Sequence, residues 1–214
     1  RHPFTFITES FNPKNYKMSY SLNYRFGLMN YVSFGANYYH LYLAGYDSDN
    51  VSEKQYDDAY FRRARNLSFH TSVNKLNLDV RVEPFRTEEL WNTDDQWILS
   101  PYASAGIGIF FFNPKTVYQG EEVELQPLGT EGQGVKPYGQ KYSLTELCIP
   151  LSLGFRVIDP ERLYSIGIDF TYTYTFTDYI DDISKNYIHP DVFNTRDNPE
   201  KALLAAALAN RNPF

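Results

Sequence analysis

The residues of this sequence best placed to do chemistry are charges set two apart along extended runs. Asp79, Arg81 and Glu83 alternate with Leu78, Val80 and Val82, and Arg25, Arg156 and Asp169 are each flanked by bulky apolar residues. Glu146 belongs to a similar run. Both signs are present, so an enclosed surface that gathered these seven side chains would hold them as ion pairs and hydrogen bonds. The histidines His2, His40, His70 and His189 offer a second kind of chemistry. His70 stands two residues from Ser72, and a Ser/His/carboxylate group at a rim would supply nucleophile, base and orienter. No spacing singles these histidines out, so interfacial positions are the simpler reading.

Other motifs carry less. Asp47–Asp49 and Asp178, Asp181 and Asp182 are acidic clusters with calcium-type oxygen ligands, but neither has the loop spacing of a known site, and both read as solvated loops. The stretch Gly129–Gly134 lacks the Gly-Lys-Ser/Thr ending of a phosphate loop and reads as a turn-rich surface loop. One cysteine, Cys148, excludes an internal disulfide and a cysteine-based metal site. A net charge of -6 gives no basic footprint for nucleic acid. The expectation is a protein with no catalytic, cofactor-binding or metal-binding residues, and not an enzyme.

Those charges must be positioned by strands, because period-2 alternation dominates the chain. From Tyr164 to Phe176 the even positions are Tyr, Ile, Phe and the odd ones Ser, Gly, Asp and Thr. The same design recurs in 146–157, 16–26, 76–83, 32–39 and 97–111, with a weak candidate at Phe4–Thr8. The strong runs cover about ten residues, the length a tilted strand needs to cross a bilayer, whereas soluble strands are nearer five or six. Aromatic residues make up 17% of the 214 residues while the mean hydropathy is only -0.47. An outer-membrane barrel, apolar outside and polar inside, has both properties. Short links at Gly27–Asn30 and Asp159–Glu161, with a medium one at Pro84–Gln96, alternate with long ones at Gly45–Arg65, Asn113–Lys141 and after Asp178.

The expected architecture is therefore all-β: a single domain over residues 1–214, forming a small antiparallel transmembrane β-barrel of about eight strands. Short turns would face the periplasm and long loops the exterior. An interior of that size is filled by side chains, so Arg25, Asp79, Arg81, Glu83, Glu146, Arg156 and Asp169 are assigned to a structural network in the lumen. About seven strands are countable, so the closing strand is expected to be absent from the chain as given. Ala202–Asn210 reads as a short helix, entered after Asn198 with Pro199 in its first turn.

Several segments resemble one family when taken in order: "RNLSF" at 65–69, "SPYASAGIGIFFFNP" at 100–114, "FNPKT" at 112–116, "LQPLGTEGQG" at 125–134, "YSLTELCIPLSLGF" at 142–155, "FTDYIDDIS" at 176–184 and "ALLAAALANRNP" at 202–213. They resemble the PorG-like outer-membrane barrels of Bacteroidetes, associated with the type IX secretion system. The resemblance covers most of the chain from about Asn12 onward. It implies an integral outer-membrane protein, surrounded by lipid, that ties the periplasmic ring of the lipoprotein PorK and its partner PorN to the membrane. The alternatives are a stand-alone structural or ligand-binding barrel and a rim-located lipid-modifying enzyme. Which residues would meet the ring is not legible from the resemblance.

Overall fold

The computed structural model describes residues 18–29, 31–47, 66–85, 97–161, 163–183, 188–195, 198–209 and 211. Six long strands form an antiparallel meander: β1 (Tyr20–Met29), β2 (Val32–Tyr46), β3 (Ser68–Val82), β4 (Ile98–Phe111), β7 (Thr145–Ile158) and β8 (Ser165–Thr175), in that spatial order. A small hairpin, β5 (Lys115–Tyr118) and β6 (Glu121–Glu124), joins the sheet where Lys115 pairs with His70 on β3. The six strong sequence runs are the six long strands. The weak candidate at Phe4–Thr8 lies outside the described residues.

β2 and β3, at 15 residues each, are longer than the alternation suggested, whereas β4 and β7 lie within a residue of the expected bounds at each end. The reason is a change of chemistry along one face. Beyond Tyr38 the outward positions of β2 become His40, Tyr42 and Ala44, and those of β3 before Leu76 are His70, Ser72 and Asn74. A period read from apolar residues stops where the outer face turns polar, although the ladder continues. The hairpin is a second departure, because Asn113–Lys141 read as one long link. Gln119 and Gly120 both have positive φ, 52° and 87°, the geometry of a two-residue turn that matches strand twist.

The sheet curls into a half-barrel. β3 and β8 are separated by β4 and β7, yet their side chains meet across the concave face: Lys75 Nζ donates to Thr173 Oγ1 at 3.1 Å, and Arg81 lies 3.7 Å from Asp169. Tight curvature needs room on that face. A Cβ on Gly35 would sit 2.5 Å from Asp79 Oδ1 and 2.6 Å from Arg25 Nη2, and one on Gly154 would sit 2.7 Å from the Tyr102 hydroxyl. Among the described residues β1 and β8 are not paired with each other.

The long-loop end carries a cap. Helix α1 (Pro199–Ala209) starts as its sequence demands, with Asn198 Oδ1 accepting the Lys201 N–H at 3.0 Å and Pro199 at the first helical position. Ala202, Ala205 and Leu208 of α1 pack with Phe193, which lies in a 3-10 turn (Pro190–Thr195), and with Leu125 and Leu128. Phe69 of β3 and Tyr118 of β5 pack against that cluster and tie it to the sheet. No helix among the described residues is long and apolar enough to cross a membrane.

Candidate functional site

The two faces of the sheet have inverted polarity. Leu22, Tyr24, Phe34, Leu78, Ile107, Leu153, Ile166 and Phe170 are exposed on the convex face, Leu78 at 62% and Ile166 at 73%. The concave face buries Ser33, Asn37, Lys75, Asn77, Asp79 and Ser100, and Glu83 lies just past the end of β3 at 2% exposure. A soluble sheet puts the apolar face inside because burying apolar area stabilises the fold. Here the inside at the short-turn end is held by ion pairs and hydrogen bonds.

β3 organises it through three successive inward positions. Asp79 receives Arg25 of β1 at 2.8 Å and the Asn37 amide of β2 at 2.5 Å. Arg81 reaches Asp169 of β8 at 3.7 Å, and its guanidinium lies 3.9 Å over the ring of Tyr102, whose hydroxyl donates to the same Asp169 at 2.5 Å. Glu83 accepts Arg156 of β7 at 2.6 Å and the Ser100 hydroxyl of β4 at 3.2 Å. Every acid has a charged partner and a neutral donor, the condition under which the buried charges of Asp79 and Glu83 are tolerated, while Asp169 keeps about half of its side chain exposed. Six of the seven residues assigned to the lumen thus form three ion pairs. All three pairs link strands that are not sheet neighbours, so the network depends on the curl.

Glu146 is the exception. It stands on β7 in the cross-strand row Lys75–Phe110–Glu146, with Phe110 between it and Lys75, and joins no ion pair of the described residues. Its end of the interior is apolar, which is why the network stops short of it. Val73, Phe110, Phe112 and Cys148 form a buried cluster there, with Leu41, Tyr142 and Ile180 against it. Lys75, just below, is held by Thr173 and lies 4.5 Å over the Tyr39 ring.

Sequence reasoning missed Asn37, Lys75, Ser100 and Tyr102 as network members. Parity is the signal that could have found Tyr102, which lies midway between Ser100 and Ser104 on the inward face.

Above this cluster, rings run in sequence into the cap: Phe110 to Phe112 at 5.4 Å, Phe112 to Tyr142 at 6.2 Å and Tyr142 to Tyr179 at 4.5 Å. The series ends at Asp182, which corrects the expectation of a solvated loop. Its carboxylate is 3% exposed and accepts the hydroxyls of Thr130 and Tyr142, each at 2.5 Å. Burial pushes the Asp182 carboxyl up to about 7, against the pull of those two hydroxyl donors. Burial likewise raises the Tyr142 phenol, with the Asp182 charge adding to it. The stretch Gly129–Gly134 also departs from a surface loop: its turns are tight, with positive φ at Gly129, Gly132 and Gly134, and Thr130 and Gln133 are buried.

The remaining candidates sit apart. His70 Nε2 meets Glu122 Oε1 at 2.8 Å, and no hydrogen bond joins it to Ser72 among the described residues. His70 first and then Lys115 hold the Glu122 carboxyl below the ordinary range. His40 Nδ1 meets Asn74 Oδ1 at 2.9 Å, and its ring stacks 5.0 Å from that of Tyr20. His189 contacts Asp191 on the exposed 3-10 turn, and His2 lies outside the described residues. Asp47 ends β2 by accepting the Leu67 N–H at 2.9 Å, while Asp49 lies outside the described residues. No group of three or more His, Cys, Asp or Glu that could hold a metal occurs among the described residues.

Comparison with curated proteins and with solved structures finds no match. A protein family described as a domain of unknown function, DUF6089, matches residues 8–189. With most of its length covered, the chain belongs to the DUF6089 family.

Proposed function

We propose that this chain is an integral β-barrel of the bacterial outer membrane, serving as a non-enzymatic anchor of the type IX secretion machine. The inverted polarity of the sheet is the observation that carries the membrane part. Ion pairs face inward and a band of Leu, Ile, Phe and Tyr faces outward, the arrangement a lipid environment requires and water penalises. Aromatic groups mark both margins of that band. Trp97 and Tyr164 meet at 5.9 Å near the short-turn end, while Tyr20 with Tyr38 and Tyr174 with Phe176 lie toward the long-loop end. The filled interior argues against diffusion through the lumen.

The secretion part rests on the resemblance of the loop segments to PorG-like barrels. In that reading the end of the sheet that carries Met29, Val82, Ile98 and Asp159 faces the periplasmic ring of PorK and PorN. Two experiments separate the parts. A heat-dependent gel shift tests the closed barrel, and a chain that migrates identically before and after boiling would sink the membrane reading. A pull-down from native membranes in mild detergent tests the anchor. Recovery of the ring lipoprotein is expected, and its absence beside a normal gel shift would leave a stand-alone barrel. The rim-enzyme alternative predicts an altered lipid profile when His40 and His70 are replaced; an unchanged profile is expected.

A further inference from the structure

Asp182 joins three segments that are distant in sequence. It follows β8, Thr130 belongs to the glycine-rich segment after β6, and Tyr142 precedes β7. Both hydroxyls point at one buried carboxyl, so a single acid holds together the layer lying between the cap and the apolar end of the interior. Tyr142 couples that layer downward, because its ring stacks between Tyr179 and Phe112. Beneath lies Cys148, 1% exposed and packed with Phe110 and Phe112.

We propose that Asp182 is a proton-operated latch: protonated, it fastens the loop layer over the long-loop end of the barrel, and ionised, it loosens that layer. A neutral carboxyl in this pocket can donate to one hydroxyl and accept from the other, and leaves no buried charge. An ionised carboxylate accepts from both but carries a charge that burial penalises. The titratable and charged groups around it make ionisation harder on balance. Glu131, beside Thr130, and Asp181 both disfavour a second negative charge. Tyr142 is itself harder to ionise next to Asp182, and Tyr179 faces Tyr142. Among the described residues Arg211 senses Asp182, but it is directed instead at the hydroxyls of Ser68 and Thr116 at 2.9 and 2.8 Å.

The direction of the pH dependence follows. The folded carboxyl titrates near 7 and an unburied one near 3.8. The closed layer therefore binds the proton more tightly than the open one. Its stability is full below the lower value, declines as pH rises, and reaches its floor above about 7.

Cys148, the single cysteine of the chain, reports on this directly. The full chain, folded in detergent micelles, is labelled with a neutral maleimide. Its rate is divided by that of the urea-unfolded chain at the same pH, which removes the thiol's own ionisation. The wild-type ratio is expected to rise about tenfold per pH unit between roughly pH 5 and 7 and then to level off. Asp182→Asn is expected to flatten the profile, and Tyr142→Phe, which removes a bond favouring the ionised form, to move the midpoint to higher pH. A gel-shift check establishes that each variant folds. A flat wild-type profile, an Asp182→Asn profile that keeps the wild-type slope, or an unmoved midpoint in Tyr142→Phe would each overturn the latch.

Discussion

At the short-turn end of the half-barrel the interior is filled by charge, and at the long-loop end by hydrocarbon and rings. The ionic end uses Asp79 and Arg81 of β3 and Glu83 just past its end, each answered from a different strand. The apolar end uses Val73, Phe110, Phe112 and Cys148 under a cap of Phe193, Leu125 and the α1 alanines. The ionic end binds strand to strand across the lumen, so its loss should be felt by the whole sheet. The apolar end binds loops to the sheet, and its loss should be felt locally. Directional pairs fix a geometry, whereas apolar packing tolerates rearrangement at a cost that scales with the volume removed.

The largest expected effect breaks an ion pair. Glu83→Ala leaves the part-buried Arg156 without an acid, at a cost of up to about 3–5 kcal/mol, read as a lower urea midpoint. Replacing Glu83 and Arg156 together by Leu should recover most of that loss. Failure to recover would mean the pair specifies the curl as well as stabilising it. Leu208→Ala comes next, at about 2–5 kcal/mol, but confined to the cap. Protease cleavage within 190–209 should accelerate while the gel shift stays unchanged, and a lost gel shift would erase the distinction between the two ends.

Smaller again is Gly154→Ala, which drives a methyl into the Tyr102 ring and disturbs its bond to Asp169, at about 1–3 kcal/mol in the same unfolding measurement. At the bottom of the scale, Glu122→Gln should leave unfolding unchanged, because the Glu122 contacts with His70 and Lys115 are exposed. A measurable loss there would make the β5–β6 hairpin part of the sheet's stability rather than an ornament of its rim.

These two ends were unequally legible in the sequence. Strand parity placed the charged residues on the inner face, because side-chain direction in a strand has period two regardless of partners. Which residue meets which was not legible, since Arg25 and Asp79 are 54 positions apart and meet only when the sheet curls. Lys75 was overlooked because its run had already turned polar on both faces. The apolar end was nearly invisible, because Phe110 and Val73 carry side chains that normally mark the outer face. The α1 start was read correctly from Asn198 and Pro199, whose capping chemistry is local. Asp182 was read as solvated because its burial depends on Thr130 and Tyr142, both distant in the chain.

The alternation of sign along β3 has a consequence for assembly. A strand that slips by two residues keeps its faces correct, so burial alone does not detect the error. Here a slip of two in one direction sets Arg81 against Arg25 and Glu83 against Asp169. In the other direction it sets Asp79 against Asp169 and Arg81 against Arg156. Either misalignment juxtaposes like charges on the concave face. The ladder therefore works as a parity code written in charge, one that rejects the register errors hydrophobicity cannot see.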